Sequence, residues 1–352
     1  MTSDKINNNQ LTKFVSLFFT LLLTVVFLFI AFRNVDLKKS LQLISQTSLV
    51  GVLFYLVVFF ISHFARAIRW KYMLLSIKKD VSLNHLFGSV MVSYGVSCII
   101  PRAGEIYRAL FLGKWENISR STVLGTIVVE RIIDITIFAF ASLVSVSLYT
   151  GNLYKEITWL KTSLIIGFAF IFFTIVFLII LIQNQERFRK WIIFFSNKIS
   201  PKLANKLNML FDTLIEGFSS IKKSKHFIAV ILWSFIIIFL YALNTYVGFY
   251  MFDMHDQKDI NFISAWIFMT ISSFGVLIPT PGGTGSYHAI AIFVLTRIYH
   301  FSYDVGAAYA ILTHFLSYFA FVTSTLLIIY FFNRQRNNKG LPKENFISVF
   351  KD

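Results

Sequence analysis

Cysteine is nearly absent. Cys98 is the only one in 352 residues, so no intrachain disulfide can form and a thiolate zinc cluster is excluded. Charge is scarce too, at 14% of residues against 56% hydrophobic, and several apolar runs exceed the ~18 residues needed to cross a bilayer. That balance describes an all-α polytopic membrane protein. No G-x-x-x-x-G-K-S/T loop is present, which removes a Walker-type nucleotide site. No Asp-x-Asp pair, Ser/Gly-rich linker or soluble catalytic domain is present either. The apolar stretch from Phe14 to Phe32 has no small-residue cleavage site after it and reads as an uncleaved first span.

The few charges are mostly basic, with a net charge of +16. In a soluble protein that excess would suggest nucleic acid. Here Lys and Arg gather in loops and ends, where they set orientation and meet anionic lipid, so membrane lipids and anionic headgroups are the expected partners and nucleic acid is not. About six full spans are predicted, at 14–32, 47–63, 121–149, 162–182, 227–252 and 305–332. The connection 183–226 is the main cytoplasmic anchor, with Arg187, Arg189, Lys190, Lys198, Lys202, Lys206, Lys222, Lys223 and Lys225. Its apolar residues Trp191, Ile192 and Phe195, then Leu207, Leu210, Phe211, Leu214 and Phe218, recur at helical spacing and predict a pair of interfacial amphipathic helices. The segment 64–83 and the polar tail 333–352 also belong inside, while the acidic loop 253–261 fits outside. The loop 33–46 is placed outside despite Arg33, Lys38 and Lys39. Both termini are then cytoplasmic, and residues 1–332 form one transmembrane domain. His63, Arg66, Arg69 and Trp70 read as a snorkelling interface anchor at the end of the second span.

Proline is the third scarcity, and it is informative by position. Three of the five prolines fall in two stretches that align without a gap. Ser93-Tyr94-Gly95-Val96 runs to Pro101 and Ala109; Ser273-Phe274-Gly275-Val276 runs to Pro281 and Ala289. In this alignment Tyr107 meets Tyr287, Arg108 meets His288 and Asp134 meets His314. Loop charge requires the region 84–113 to begin and end inside and 262–297 to begin and end outside. Each is then a re-entrant helical hairpin, and with the span that follows it forms one half of an inverted repeat. Backbone at a hairpin tip cannot face lipid, so it must be buried or line a wet cavity.

Ionisable residues collect where the chain should be in lipid. Arg102, Glu105 and Arg108 lie at i, i+3 and i+6, close to one helical face, and Glu130 and Asp134 share a face with Arg131 turned about 100° away. Three positive and three negative groups can neutralise one another as a structural network. Intramembrane charge also marks substrate pathways by default. Gly282, Gly283 and Gly285 let a ligand approach the backbone and leave N–H groups free for an anion, although any tight hairpin needs such a tip. His288 and His314 read as interhelical hydrogen-bonding groups or as proton carriers.

Pro101-Arg102-Ala103-Gly104-Glu105 with Arg108, Glu130-Arg131 with Asp134, and Pro279-Thr280-Pro281-Gly282-Gly283-Thr284-Gly285 together resemble the flippase-like membrane-domain family, the transmembrane domain of lysylphosphatidylglycerol synthases. Arg66 to Trp70 is similar to that family's early arginine pattern, and His288 stands where its members often have an acidic residue. The resemblance implies a protein of the bacterial cytoplasmic (inner) membrane that moves polar lipids between leaflets; the synthases' soluble aminoacylating domain has no counterpart here. A lipid transporter is therefore the leading expectation, with Arg102, Glu105, Arg108, Glu130, Arg131, Asp134, Pro281, Gly282, Gly283, Gly285, Tyr287, His288 and His314 along its pathway. No catalytic residue, cofactor or metal is assigned, and the sequence leaves room for a homo-oligomer. The rivals are an integral-membrane transferase acting on a lipid phosphate and a non-catalytic partner of lipid-synthesis enzymes.

Overall fold

The computed structural model describes residues 18–198, isolated positions between 200 and 212, and 226–350. The start of the first span (14–17) lies outside the described residues, as do Leu210, Leu214, Phe218, Lys202, Lys206, Lys222, Lys223 and Lys225 of the expected amphipathic pair. Among the described residues the chain is all helix, with no strand. The principal elements are α1 (Phe18–Phe32), α2 (Leu37–Ser45), α3 (Leu49–Leu74), α4 (Leu83–Ile99), α5 (Ala103–Glu116), α6 (Arg120–Leu148), α7 (Thr158–Gln183), α8 (Gln185–Asn197), α9 (Phe227–Met251), α10 (Phe262–Leu277), α11 (Ser286–Arg297) and α12 (Tyr303–Asn338).

Three helices, α3, α9 and α12, are long and apolar enough to cross a membrane; α1 and α2, bent by 83°, make a fourth if they form one span. Two others among the six expected spans form helices, α6 and α7. α6 carries Glu130, Arg131 and Asp134, and α7 is apolar over Thr158–Thr174. The second span was placed at 47–63, but α3 continues to Leu74, ~39 Å in all at 1.5 Å per residue. Arg66, Arg69 and Trp70 are therefore helical positions and not a loop-side anchor. Residues 37–45, expected in a loop, form α2, capped by the Asp36 carboxylate on the N–H groups of Lys38 and Lys39. Large apolar side chains are widely exposed, among them Phe29, Phe54, Phe172, Phe173, Phe319 and Tyr330. Phenylalanine on that surface is what lipid contact asks for.

The chain divides into two compact units. Residues 1–59, 94–104 and 241–324 form the first; 60–93, 105–240 and 325–352 form the second. α3, α4, α5, α9 and α12 contribute to both.

Both interrupted regions fold back as helical hairpins. In the second unit, Glu116 at the end of α5 reaches the start of α4. Its carboxylate accepts from the Ser82 N–H at 2.9 Å and lies 2.6 Å from His85 Nδ1 and 2.8 Å from Lys78 Nζ. In the first unit, Tyr299 beyond α11 donates to the Ser264 carbonyl near the start of α10 at 3.0 Å. Each segment thus returns to where it started. Gly275 permits close helix packing, since a Cβ there would stand 2.7 Å from the Ser286 carbonyl oxygen.

The two breaks use one turn. After Ile100, Pro101 supplies no N–H, Arg102 takes a left-handed φ of 64°, and the Ala103 N–H closes on the Ile100 carbonyl at 3.2 Å. After Thr280, Pro281 is followed by Gly282 at φ 54°, and the Gly283 N–H closes on the Thr280 carbonyl at 3.1 Å. A left-handed residue other than glycine is strained by ~1–2 kcal/mol. Arg102→Gly is therefore expected to raise the thermal unfolding midpoint by a few degrees; a fall would mean that the arginine side chain itself stabilises the tip.

Burial pushes the Glu116 carboxyl up, but hydrogen bonds from Lys78, His85 and the Ser82 N–H outweigh it and hold the group below the usual carboxylate range. A carboxyl depressed on folding stabilises above its unfolded pKa of ~4.3, and the contribution is lost as pH falls through the folded value. Glu116→Gln should lower stability near neutral pH and flatten the acid side of the stability curve. An unchanged acid limb would show that this latch contributes nothing.

The segment after α12 was read only as a polar tail. In the second unit it packs on the first hairpin: Val349 is buried, and the Phe346 and Phe350 rings lie 5.7 and 5.4 Å from Tyr107. Buried Glu344 meets Arg336 at 2.9 Å.

Candidate functional site

Four helices of the second unit bring charge together below the surface. Arg66 and Arg69, one turn apart on α3, share a face. That face meets Glu130 and Asp134 of α6, themselves four residues apart. Arg69 Nη2 lies 2.9 Å from Glu130 Oε1 and 2.7 Å from Asp134 Oδ1. Arg66 spans the same two carboxylates, at 3.4 Å to Glu130 and 2.8 Å to Asp134. From α5, Arg108 Nη1 reaches the other Glu130 oxygen at 2.8 Å. From α9, the Ser234 hydroxyl accepts from Arg69 Nη1 at 3.0 Å. The Arg108 guanidinium stacks over the Trp70 ring at 3.7 Å, and the Trp70 indole N–H is fixed by Thr126 Oγ1 at 3.0 Å.

The network opens toward one rim. Glu130, Arg69 and Arg108 are no more than 1% exposed, whereas the side chains of Asp134, Arg131 and Glu105 are 17%, 35% and 41% exposed. Arg131 links the rim, with Nε 2.6 Å from Glu105 and Nη1 3.3 Å from Asp134. The neighbours in sequence, Ile106 and Ile135, present apolar surface outward. Four arginines and three carboxylates leave these seven groups with one net positive charge. Such a set can hold an anion at its rim, where charge-assisted hydrogen bonds to phosphate are strong.

Arg66 and Arg69 were assigned above to snorkelling. At 5% and 1% exposure and fully ion-paired, they do not reach for the interface. The signal that could have placed them is their i, i+3 spacing followed by Trp70 and Met73, which continues the apolar period of α3 past residue 63. Arg102 goes the other way. α5 begins at Ala103, so Arg102 cannot share its helical face with Glu105 and Arg108; the residue lies exposed at the turn, in the first unit.

The second polar group lies in the first unit, at the second break. The His288 and His314 rings are 4.6 Å apart, and Tyr287 stacks on His314 at 5.8 Å. His314 Nε2 lies 3.1 Å from the Gly282 carbonyl, and the Gly285 N–H meets His288 Nδ1 at 3.4 Å. Tyr287 hydrogen-bonds Thr313 at 3.2 Å. Tyr318 donates to the Cys98 carbonyl at the first break and approaches the Pro281 carbonyl at 3.2 Å. Three of the N–H donors expected to be free at the glycine tip have partners. Gly283 bonds Thr280, Thr284 bonds the Pro281 carbonyl at 2.9 Å, and Gly285 meets His288. Asp253, His255 and Asp256 place ligand atoms within 4.8 Å of one another on an exposed turn, which by itself is no metal site.

The model of the lysylphosphatidylglycerol synthase transmembrane region matches residues 16–324. The chain is 25% identical over 313 residues to a UPF0104 membrane protein of Methanocaldococcus jannaschii, covering 85% of this chain and 90% of that one. It is also 25% identical over 307 residues to a UPF0104 membrane protein of Methanothermobacter thermautotrophicus, covering 84% and 89%. No solved structure matches it significantly. With nearly its whole helical region matched, the chain belongs to the family of the lysylphosphatidylglycerol synthase transmembrane region.

Proposed function

We propose that this protein moves an anionic lipid between leaflets, with the phosphate held at the rim formed by Glu105, Arg131 and Asp134. One observation carries the reading: a buried network with a net positive charge opens at a rim flanked by exposed apolar residues. A soluble anion needs no such flank, whereas a lipid presents its phosphate and its acyl chains together. Arg66, Arg69 and Arg108, pinned by Glu130, keep the positive field in place as the headgroup passes. Arg102, strained and exposed at the first tip, offers an anion a separate contact there.

The proposed topology follows the repeat. α3, α4, α5 and α6 are answered in order by α9, α10, α11 and α12, at 26, 17, 14 and 29 residues against 25, 16, 12 and 36. We place the two sets as an inverted repeat with both termini in the cytoplasm of a bacterial inner membrane. Rocking of one set against the other then exposes the rim to each leaflet in turn.

Proteoliposomes with a fluorescent anionic phospholipid test this. The wild-type protein should speed leaflet exchange. Arg131→Gln, which brings the net charge to zero at a partly exposed position, should slow it about tenfold, the loss of one charge-assisted contact of ~1.4 kcal/mol. Equal exchange in both proteins, or exchange no faster than in empty liposomes, contradicts the reading.

A further inference from the structure

The histidine pair lies outside the arginine network, and the lipid reading does not use it. We propose that His288 and His314 form a proton-binding site, and that taking up a proton unlocks the glycine turn of the second hairpin.

The hydrogen bonds define which protons the closed turn already holds. The Gly285 N–H points at His288 Nδ1, so that nitrogen must present a lone pair. His314 Nε2 faces the Gly282 carbonyl, so that nitrogen must carry a hydrogen. Both bonds are made when each ring is neutral. A further proton on His288 Nδ1 would set donor against donor at Gly285. On either ring it would place a cation against a partner ring 4.6 Å away. The titratable groups facing the pair are Tyr287 on the same helix, Tyr318 on α12, Tyr55 of α3 through Thr313 and Ser317, and Cys98 at the first break through Tyr318. α1 contributes the Phe32 ring, at 5.8 Å from His288. None of these is a carboxylate, so none supplies a counter-charge for an imidazolium.

The closed turn therefore excludes the proton, and a turn opened to water accepts it. A ligand that binds only the open state shifts the population toward it, so acid opens this turn. The consequence reaches the other break. Tyr318 joins the Pro281 and Cys98 carbonyls, and loosening Gly282 frees the residue against which that tyrosine packs.

Hydrogen exchange of residues 282–288, corrected for the chemical exchange rate and followed from about pH 8 to pH 5 across the histidine range, reads the opening without any lipid movement. Protection should fall toward acid with a limiting slope of about tenfold per pH unit, that of one proton. His288→Gln keeps an acceptor for the Gly285 N–H and cannot titrate; His314→Gln keeps a donor for the Gly282 carbonyl. Each should flatten the slope. Wild-type protection that does not change with pH, or the wild-type slope kept in either variant, overturns the proposal. Either result leaves leaflet exchange and the arginine rim to be judged by the liposome experiment alone.

Discussion

Glu130→Ala should leave little folded protein in mild detergent. The substitution removes the carboxylate shared by Arg66, Arg69 and Arg108, all 5% exposed or less. Breaking a buried ion pair by deleting one partner typically costs ~3–5 kcal/mol, because the remaining charge stays in a low-dielectric site. Here three cations lose a partner at once, and Asp134 alone remains between Arg66 and Arg69. A protein with ~5–15 kcal/mol of total stability can lose its fold to such a change. Glu130→Gln keeps the shape and an acceptor oxygen and should unfold at an intermediate temperature. Arg131→Gln, at the rim, should be close to wild type. That order, read by thermal unfolding with fluorescence-detected gel filtration, separates a pinned interior from an adaptable edge. If Glu130→Ala melts with Arg131→Gln, the buried network is not what holds α3, α5 and α6 together.

The second large effect belongs to Gly285. Its φ of 85° and ψ of −59° suit glycine, and a Cβ there would stand 2.8 Å from the Thr24 carbonyl oxygen and 3.1 Å from Phe27 Cβ on α1. Backbone strain of ~1–3 kcal/mol adds to overpacking of ~1–3 kcal/mol, and the neighbour on one side is backbone that cannot rotate away. Gly285→Ala should therefore lower the melting point by more than ten degrees or prevent accumulation. Gly167, with open space around its Cα, is the control: Gly167→Ala should be neutral or slightly stabilising. Equal melting points for the two variants would mean that α1 does not pack against the second break as described.

The architecture was legible where the sequence broke its own pattern. Two Gly/Pro-marked interruptions in apolar runs located both hairpins, and their alignment anticipated a shared turn at Pro101-Arg102 and Pro281-Gly282. The charged network was legible in part. Glu130, Asp134 and Arg108 stood out because charge is expensive in lipid. Arg66 and Arg69 were read as surface because they follow an apolar stretch of ordinary spanning length, and the period that Trp70 and Met73 continue beyond it was not given weight. Arg102 was misplaced for the converse reason. A helical face was begun at the residue directly after a proline, although that residue takes a left-handed conformation and the helix starts beyond it. The glycine tip matched an anion cradle in composition, and only coordinates reveal that the Gly283 and Thr284 N–H groups close the turn. The tail looked like solvated polar chain because Phe346, Val349 and Phe350 are too few to show a period.

We have proposed that the rim of Glu105, Arg131 and Asp134 holds an anionic lipid headgroup. Native mass spectrometry of the purified protein, titrated in turn with phosphatidylglycerol and phosphatidylcholine, tests it most directly. Retained phosphatidylglycerol adducts are expected, with the preference over phosphatidylcholine reduced about tenfold in Arg131→Gln, the effect of one lost charge-assisted contact. Equal retention of the two lipids by the wild-type protein, or a preference that Arg131→Gln leaves intact, would contradict it.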